Sequence, residues 1–96
     1  MFSDEEIMAR IILKLFKHSK WGASHTSFEN LKKGFSMRDL GKGGAKCVDK
    51  IGKDMIRSGL MLSKPTSYGL EVSLNPQHSQ EIMSVLRKVF PDFEQN

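Results

Sequence analysis

"IGKDMIRSGLMLSKPTSYGLEVSL", residues 51–74, changes its hydrophobic period in the middle, and this change decides the fold. Before Gly59 the apolar residues recur every three or four positions, as on one face of an α-helix. After Gly59 they recur at every second position, which is typical of a half-buried strand. The stretch therefore predicts a helix that ends at Gly59 and is followed by a β-hairpin.

The hairpin prediction rests on two alternating runs of residues. In the first, Leu60 and Leu62 alternate with Met61 and Ser63, so we expect the two leucines to face the core. In the second, Leu70, Val72 and Leu74 alternate with Glu71 and Ser73. The connection "KPTSYG", residues 64–69, predicts a projecting loop that is longer than a two-residue turn.

The helix before the hairpin is predicted over Gly44 to Ser58 and separates charge from apolar residues. At about 100° per residue, its cations Lys46, Lys50, Lys53 and Arg57 fall in one narrow stripe. The residues almost opposite are apolar: Val48, Ile51 and Met55. We call these four cations the basic stripe. Gly52, at the margin of the apolar face, is expected to allow close helix packing.

Three further helices complete the predicted elements. The first runs from Asp4 to His18, with Ser3 as N-cap and Glu6 at the capping-box position. A short helix from Ser27 to Lys33 is capped by Thr26 and ends with Gly34 at C′. The last begins with Asn75 as N-cap and Pro76 at N1, carries an apolar stripe (Ile82, Val85, Leu86, Val89, Phe90), and stops at Pro91. Residues 21–24 are a candidate brief strand.

This order of elements resembles the winged helix-turn-helix superfamily. The stretch "IGKDMIRSGLMLSKPTSYGLEVSL", which runs from a helix through Gly59 into a hairpin, carries most of the resemblance. The phrases "HTSFENLKKGF" and "SYGLEVSLNP" also look like a set of small archaeal winged-helix proteins. The resemblance implies an α+β fold over residues 1–96 as a single domain: a three-helix core with a C-terminal β-hairpin wing, followed by an additional C-terminal helix. The chain departs from the pattern between its second and third helices, where about ten residues replace the usual three or four.

In that superfamily the third helix usually enters the DNA major groove and the wing touches the minor groove or backbone. The resemblance thus implies that the basic stripe is the recognition surface, with Lys64 and Tyr68 on the wing. Charge points the same way, because residues 32–64 hold nine cations and three anions while the rest of the chain holds six cations and eight anions. We add Lys42, so the predicted nucleic-acid-binding residues are Lys42, Lys46, Lys50, Lys53, Arg57, Lys64 and Tyr68.

The expected function is nucleic-acid binding, with DNA favoured over RNA, as a transcriptional regulator or chromatin-associated factor. Two alternatives stay open: a winged-helix module for protein–protein interaction, and a protein that binds structured RNA or the ribosome. Asp49 and Asp54 flank the stripe and could pair with its cations, as on an ordinary solvated helix. Tyr68 could stack on a base or fold back over the hairpin. The apolar stripe of the last helix is a candidate homodimer surface.

Other classes of function find little support in the sequence. "GKGG", residues 41–44, lacks the remainder of a Walker motif, and His18, His25, His78 and Cys47 lack the spacing of a zinc site. We therefore expect no enzyme, no cofactor, no metal and no small-molecule substrate, with Cys47 a small apolar filler. Without a run of about 20 apolar residues, and with acidic residues at positions 4–6, we expect a cytoplasmic protein with no membrane partner.

Overall fold

Four α-helices and a three-stranded antiparallel sheet make up residues 2–35 and 44–93, the part of the chain that the computed structural model describes. In chain order the elements are α1 (Asp4–Lys17), β1 (Thr26–Ser27), α2 (Phe28–Lys33), α3 (Gly44–Ser58), β2 (Met61–Thr66), β3 (Gly69–Leu74), a 3₁₀ helix (Pro76–His78) and α4 (Ser79–Val89). The predicted α+β class is confirmed. None of the helices in the described ranges has the length and hydropathy needed to cross a membrane.

The N-terminus of α1 is capped as predicted. Ser3 Oγ accepts a hydrogen bond of 3.2 Å from the backbone N–H of Glu6, and acidic residues in the first turn suit the positive end of the helix dipole. The helix ends at Lys17, one residue before the predicted end, and His18 is its C-cap. Its buried face (Ile7, Ala9, Ile11, Ile12, Leu15) occupies the centre of the core.

The cap of α2 differs from the prediction by one residue. Ser27 is the N-cap, since its Oγ accepts from the N–H of Asn30 at 3.3 Å. Thr26 instead belongs to β1, where it pairs with Val72 of β3. Gly34 is the C-cap, with φ of −71°, so its predicted place at C′ is wrong by one position.

The sheet has the strand order β1-β3-β2, so β2 lies at an edge. The first strand lies at Thr26–Ser27, so the prediction of a strand at residues 21–24 is wrong. Trp21 makes only an isolated parallel bridge to Leu74. That bridge nevertheless fixes the segment after α1 to β3, because Gly22 N–H donates to the Leu74 carbonyl at 2.9 Å.

The hairpin exists, but its inward residues and its turn differ from the prediction. Met61 pairs with Leu74 and is buried at 1% exposure, whereas Leu62 faces out at 38%. The side chains of β2 that face the core are therefore the opposite set to the one expected. Leu60 is buried, but it precedes the strand. Pairing continues to Thr66 and Gly69, so the turn between them has two residues and the long projecting loop is wrong.

The helices pack around one core that includes the inner face of the sheet. Helix α1 packs against α3 and α4, and α3 packs against β2. Gly52 of α3 is buried against α2: a Cβ built on it would lie 2.5 Å from Cζ of Phe28. This confirms that Gly52 permits close packing. Ahead of α4, the Asn75 side chain caps the 3₁₀ helix by accepting from Gln77 N–H at 3.0 Å.

Candidate nucleic-acid interface

Helix α3 presents the basic stripe to solvent. It spans Gly44–Ser58 as predicted, with Val48, Ile51 and Met55 buried on its inner side. All four cations of the stripe are exposed. Over positions 46–57 they cover an arc of about 60° and a length of about 16 Å, because each residue turns about 100° and rises about 1.5 Å. A flat row of side chains this long can face several successive phosphates.

Two of the four cations carry an acidic partner on the same helix. Lys53 Nζ lies 2.9 Å from Asp49 Oδ2, and Arg57 Nη1 lies 3.5 Å from Asp54 Oδ1. Both pairs are substantially exposed to solvent, where an ion pair contributes about 0–1 kcal/mol. A phosphate could therefore displace either carboxylate at small cost.

Lys46 and Lys50 are different, because no carboxylate of residues 2–35 or 44–93 lies within 4.0 Å of their ammonium groups. They occupy the N-terminal half of the stripe. Among the carboxylates of the described residues, none opposes the positive charge at this end of α3, so Lys46 and Lys50 are well placed to meet an anion.

Asp49 also ties α3 to α2, a link that the sequence interpretation missed. Lys32 Nζ lies 3.0 Å from Asp49 Oδ1 and 2.8 Å from Glu29 Oε1. The hydrogen bonds from Lys53 and then Lys32 hold the pKa of Asp49 below its usual range. Those from Lys32 to Glu29 and then Asp49 raise the pKa of Lys32. The i, i+3 spacing of Glu29 and Lys32 was visible in the sequence, whereas the contact between the helices was not.

The hairpin carries the two remaining predicted residues that the structure describes. Lys64 is exposed on β2, opposite Glu71 of β3. Tyr68 is in the turn and is 99% exposed, which excludes the alternative in which its ring folds back over the hairpin. Its N–H donates to Thr66 Oγ1 at 3.2 Å, and that hydroxyl donates to the Gly69 carbonyl at 2.7 Å. The turn thus holds Tyr68 outward on an ordered backbone.

One predicted site residue, Lys42, lies outside the described residues, as does most of the segment 34–43 between α2 and α3, for which no geometry was predicted from the sequence. Cys47 was expected to be an apolar filler but is exposed on α3. Within the described ranges, no group of three or more His, Cys, Asp or Glu side chains could hold a metal ion.

The site thus consists of an exposed cationic row on α3 and an exposed aromatic ring on the hairpin that packs beside it. Comparison of the chain with protein-family models, with curated proteins and with solved structures finds no match.

Proposed function

We propose that the chain is a winged-helix protein that binds nucleic acid, with DNA favoured, through the outer face of α3 and the hairpin. The observation that carries the proposal is the pair Lys46 and Lys50, exposed and without a described carboxylate within reach. The element order supports it as well, since a helix, a short strand, two helices and a hairpin fit a winged-helix layout when β1 joins the hairpin through β3.

In this proposal the lysines mainly contact phosphate, because a flexible ammonium group is a point charge and reads no base pattern. The planar guanidinium of Arg57 is the group of the stripe best suited to contact a guanine edge through two hydrogen bonds. Tyr68, projecting from the hairpin turn, would place its ring against a base or a groove edge. The surface therefore favours affinity over sequence readout.

The test is the salt dependence of binding to a short fluorescent duplex, measured by anisotropy. Each phosphate contact contributes about −0.9 to the slope of log Kobs against log salt, so two to four contacts predict a slope of about −2 to −4. Lys46→Gln/Lys50→Gln should reduce that slope by about 2 and weaken binding at low salt.

Lys14→Gln/Lys20→Gln is the matched control, since it removes the same charge outside α3 and should leave the slope unchanged. If the wild-type chain does not bind the duplex at low salt, the proposal fails and the protein–protein module is favoured. Equal loss in both double variants would show that only net charge matters. Unlabelled RNA that competes better than DNA of the same length would reassign the partner to structured RNA.

A further inference from the structure

A second group of cations surrounds a cleft between α1 and α2, away from the basic stripe. The cleft contains a first cavity of about 200 Å³. This cavity is bordered by the C-terminal end of α1, the segment that follows α1, Thr26 of β1, and α2. Lys14, His18 and Lys20 line it, and none of its lining residues is Asp or Glu. No carboxylate in the described ranges lies within 4.0 Å of Lys14 or Lys20.

The backbone around this cavity is held in place by hydrogen bonds from both sides. Lys20 N–H donates to the Leu15 carbonyl at 2.8 Å, and the Lys20 carbonyl accepts from Leu74 N–H at 2.8 Å. The chain reaches this position through Ser19, which has a φ of +54°. On the opposite wall, Ser27 caps α2. A cavity whose walls are already ordered loses little conformational entropy when a ligand binds.

The negative end of the α1 dipole explains why some, but not all, of these cations are favourable without a ligand. Lys14 and Lys17 lie in the last turn of α1, where cations are favourable without any ligand. Lys20 lies beyond the helix, yet it lines the same cavity. Lys14 and Lys20 thus both contribute positive charge to the wall of this cavity, where a bound anion would be favourable.

The neighbouring cavity extends the same positive region. It has a volume of about 250 Å³, shares Lys14 and His18 with the first, and adds Arg10 and Lys17. Arg10 Nε is buried without a hydrogen-bond partner, and its guanidinium lies 3.9 Å from the centre of the Phe2 ring. The shared wall at Lys14 and His18 is thus flanked by cations on both sides.

We propose that the first cavity binds a phosphate monoester of a small hydroxylated molecule. A phosphate monoester carries a charge of about −1.5 to −2 at neutral pH, which matches Lys14 and Lys20 better than a carboxylate would. Beyond the cations, the residues that line the cavity include Thr26, Asn30 and buried Leu31. A hydroxyl and an amide can each donate and accept hydrogen bonds, which suits a polyhydroxylated body.

The test is a titration of ¹⁵N-labelled protein with glycerol phosphate, followed by NMR. Saturable shifts are expected at the amides of Lys20 and Asn30, with none on addition of glycerol. Lys14→Gln/Lys20→Gln should weaken binding at least about tenfold, because it removes both cations that would form charge-assisted hydrogen bonds to the phosphate. Lys20→Arg, which keeps the charge, should retain binding.

Lys46→Gln/Lys50→Gln is the control here and should bind glycerol phosphate as the wild type does. Shifts that grow without saturation, that persist in Lys14→Gln/Lys20→Gln, or that map to α3 would overturn the proposal. If inorganic phosphate binds as tightly as glycerol phosphate, the proposal that the cavity recognises the hydroxylated part of the ligand is wrong. These readouts are independent of the duplex assay, so either site can fail alone.

Discussion

Asp49 has opposing effects on the fold and on the proposed function. It accepts hydrogen bonds from Lys32 of α2 and Lys53 of α3, so it links the two helices. The same carboxylate neutralises one cation of the basic stripe. Its presence is favourable for the packing of α2 on α3 and unfavourable for contact with a polyanion.

We therefore expect Asp49→Asn to bind the duplex more tightly and to be less stable. Release of Lys53, the partner of Asp49 on the basic stripe, should raise affinity about two- to fivefold, because an exposed ion pair of this kind contributes about 0.5–1 kcal/mol. Because the pKa of Asp49 is lowered in the folded state, its stabilising effect is present above its unfolded pKa and is lost as pH falls through the folded pKa.

Urea denaturation of Asp49→Asn and wild type at about pH 7 and about pH 2 checks both parts. The stability difference should be present at the higher pH and become smaller at the lower one. Asp54→Asn, which removes only the more exposed pair with Arg57, is the control and should change stability less. A difference that is equally large at both pH values would assign the effect to something other than the carboxylate charge.

At the scale of elements, α3 packs tightly against Phe28 of α2 at Gly52. A Cβ there would lie 2.5 Å and 2.6 Å from Cζ and Cε1 of Phe28, so any other residue would force the Phe28 ring or the helices to shift. Glycine at this position lowers the helix propensity by about 1 kcal/mol relative to alanine. It also allows α2 to pack closely against α3, the helix that carries the basic stripe.

Gly52→Ala should accordingly destabilise the protein, by about 1–3 kcal/mol for an overpacked core site, despite the better helix propensity of alanine. Phe28→Leu removes the ring atoms that meet the new methyl group. In that background Gly52→Ala should cost clearly less, and the double-mutant cycle measured by urea denaturation gives the coupling. Equal costs in both backgrounds would contradict the proposed contact.

The elements could be predicted from the sequence where one local signal decides the structure. Helix α3 and the Ser3 cap were predicted correctly because the 3.6-residue period and the cap are both local. The inward face of β2 was not, because Leu62 and Met61 are equally apolar and the choice depends on the pairing of Met61 with Leu74. Thr26 and Ser27 are likewise both good N-caps, and pairing of Thr26 with β3 leaves the cap to Ser27.

For the site, the sequence predicted the exposure of the stripe but not the charges brought to it by the fold. The periodicity of α3 was sufficient to place its four cations on one outer face. The link from Lys32 to Asp49 joins residues 17 apart in sequence, and the cleft at Lys14 and Lys20 depends on the bridge between Trp21 and Leu74. Such contacts follow from tertiary packing, which local patterns do not specify.

At the scale of the whole molecule, α4 is part of the central core. Ile82 and Leu86 are fully buried within the chain itself, so they are not available to a second copy. The homodimer surface predicted on α4 is reduced to its half-buried residues, Val85, Val89 and Phe90, and dimerisation stays a prediction.

Leu86→Ala should therefore destabilise the entire fold, by about 2–5 kcal/mol as expected for a buried leucine. Trp21 fluorescence reports on the β3 end and circular dichroism on the helices, and both unfolding transitions should shift together. Val85→Ala, at a half-buried position of the same helix, is the control and should shift them less. An unchanged Trp21 transition would show that α4 unfolds separately.

The position of β2 at the edge of the sheet has a consequence for self-association. An edge strand exposes unpaired backbone groups that can recruit another chain and start aggregation. Here the middle of β2 carries Lys64 and Pro65, a charge and a residue with no N–H to donate, and both are known safeguards of such edges. Lys64 thus disfavours pairing of this edge with another chain, whether or not it touches a nucleic acid.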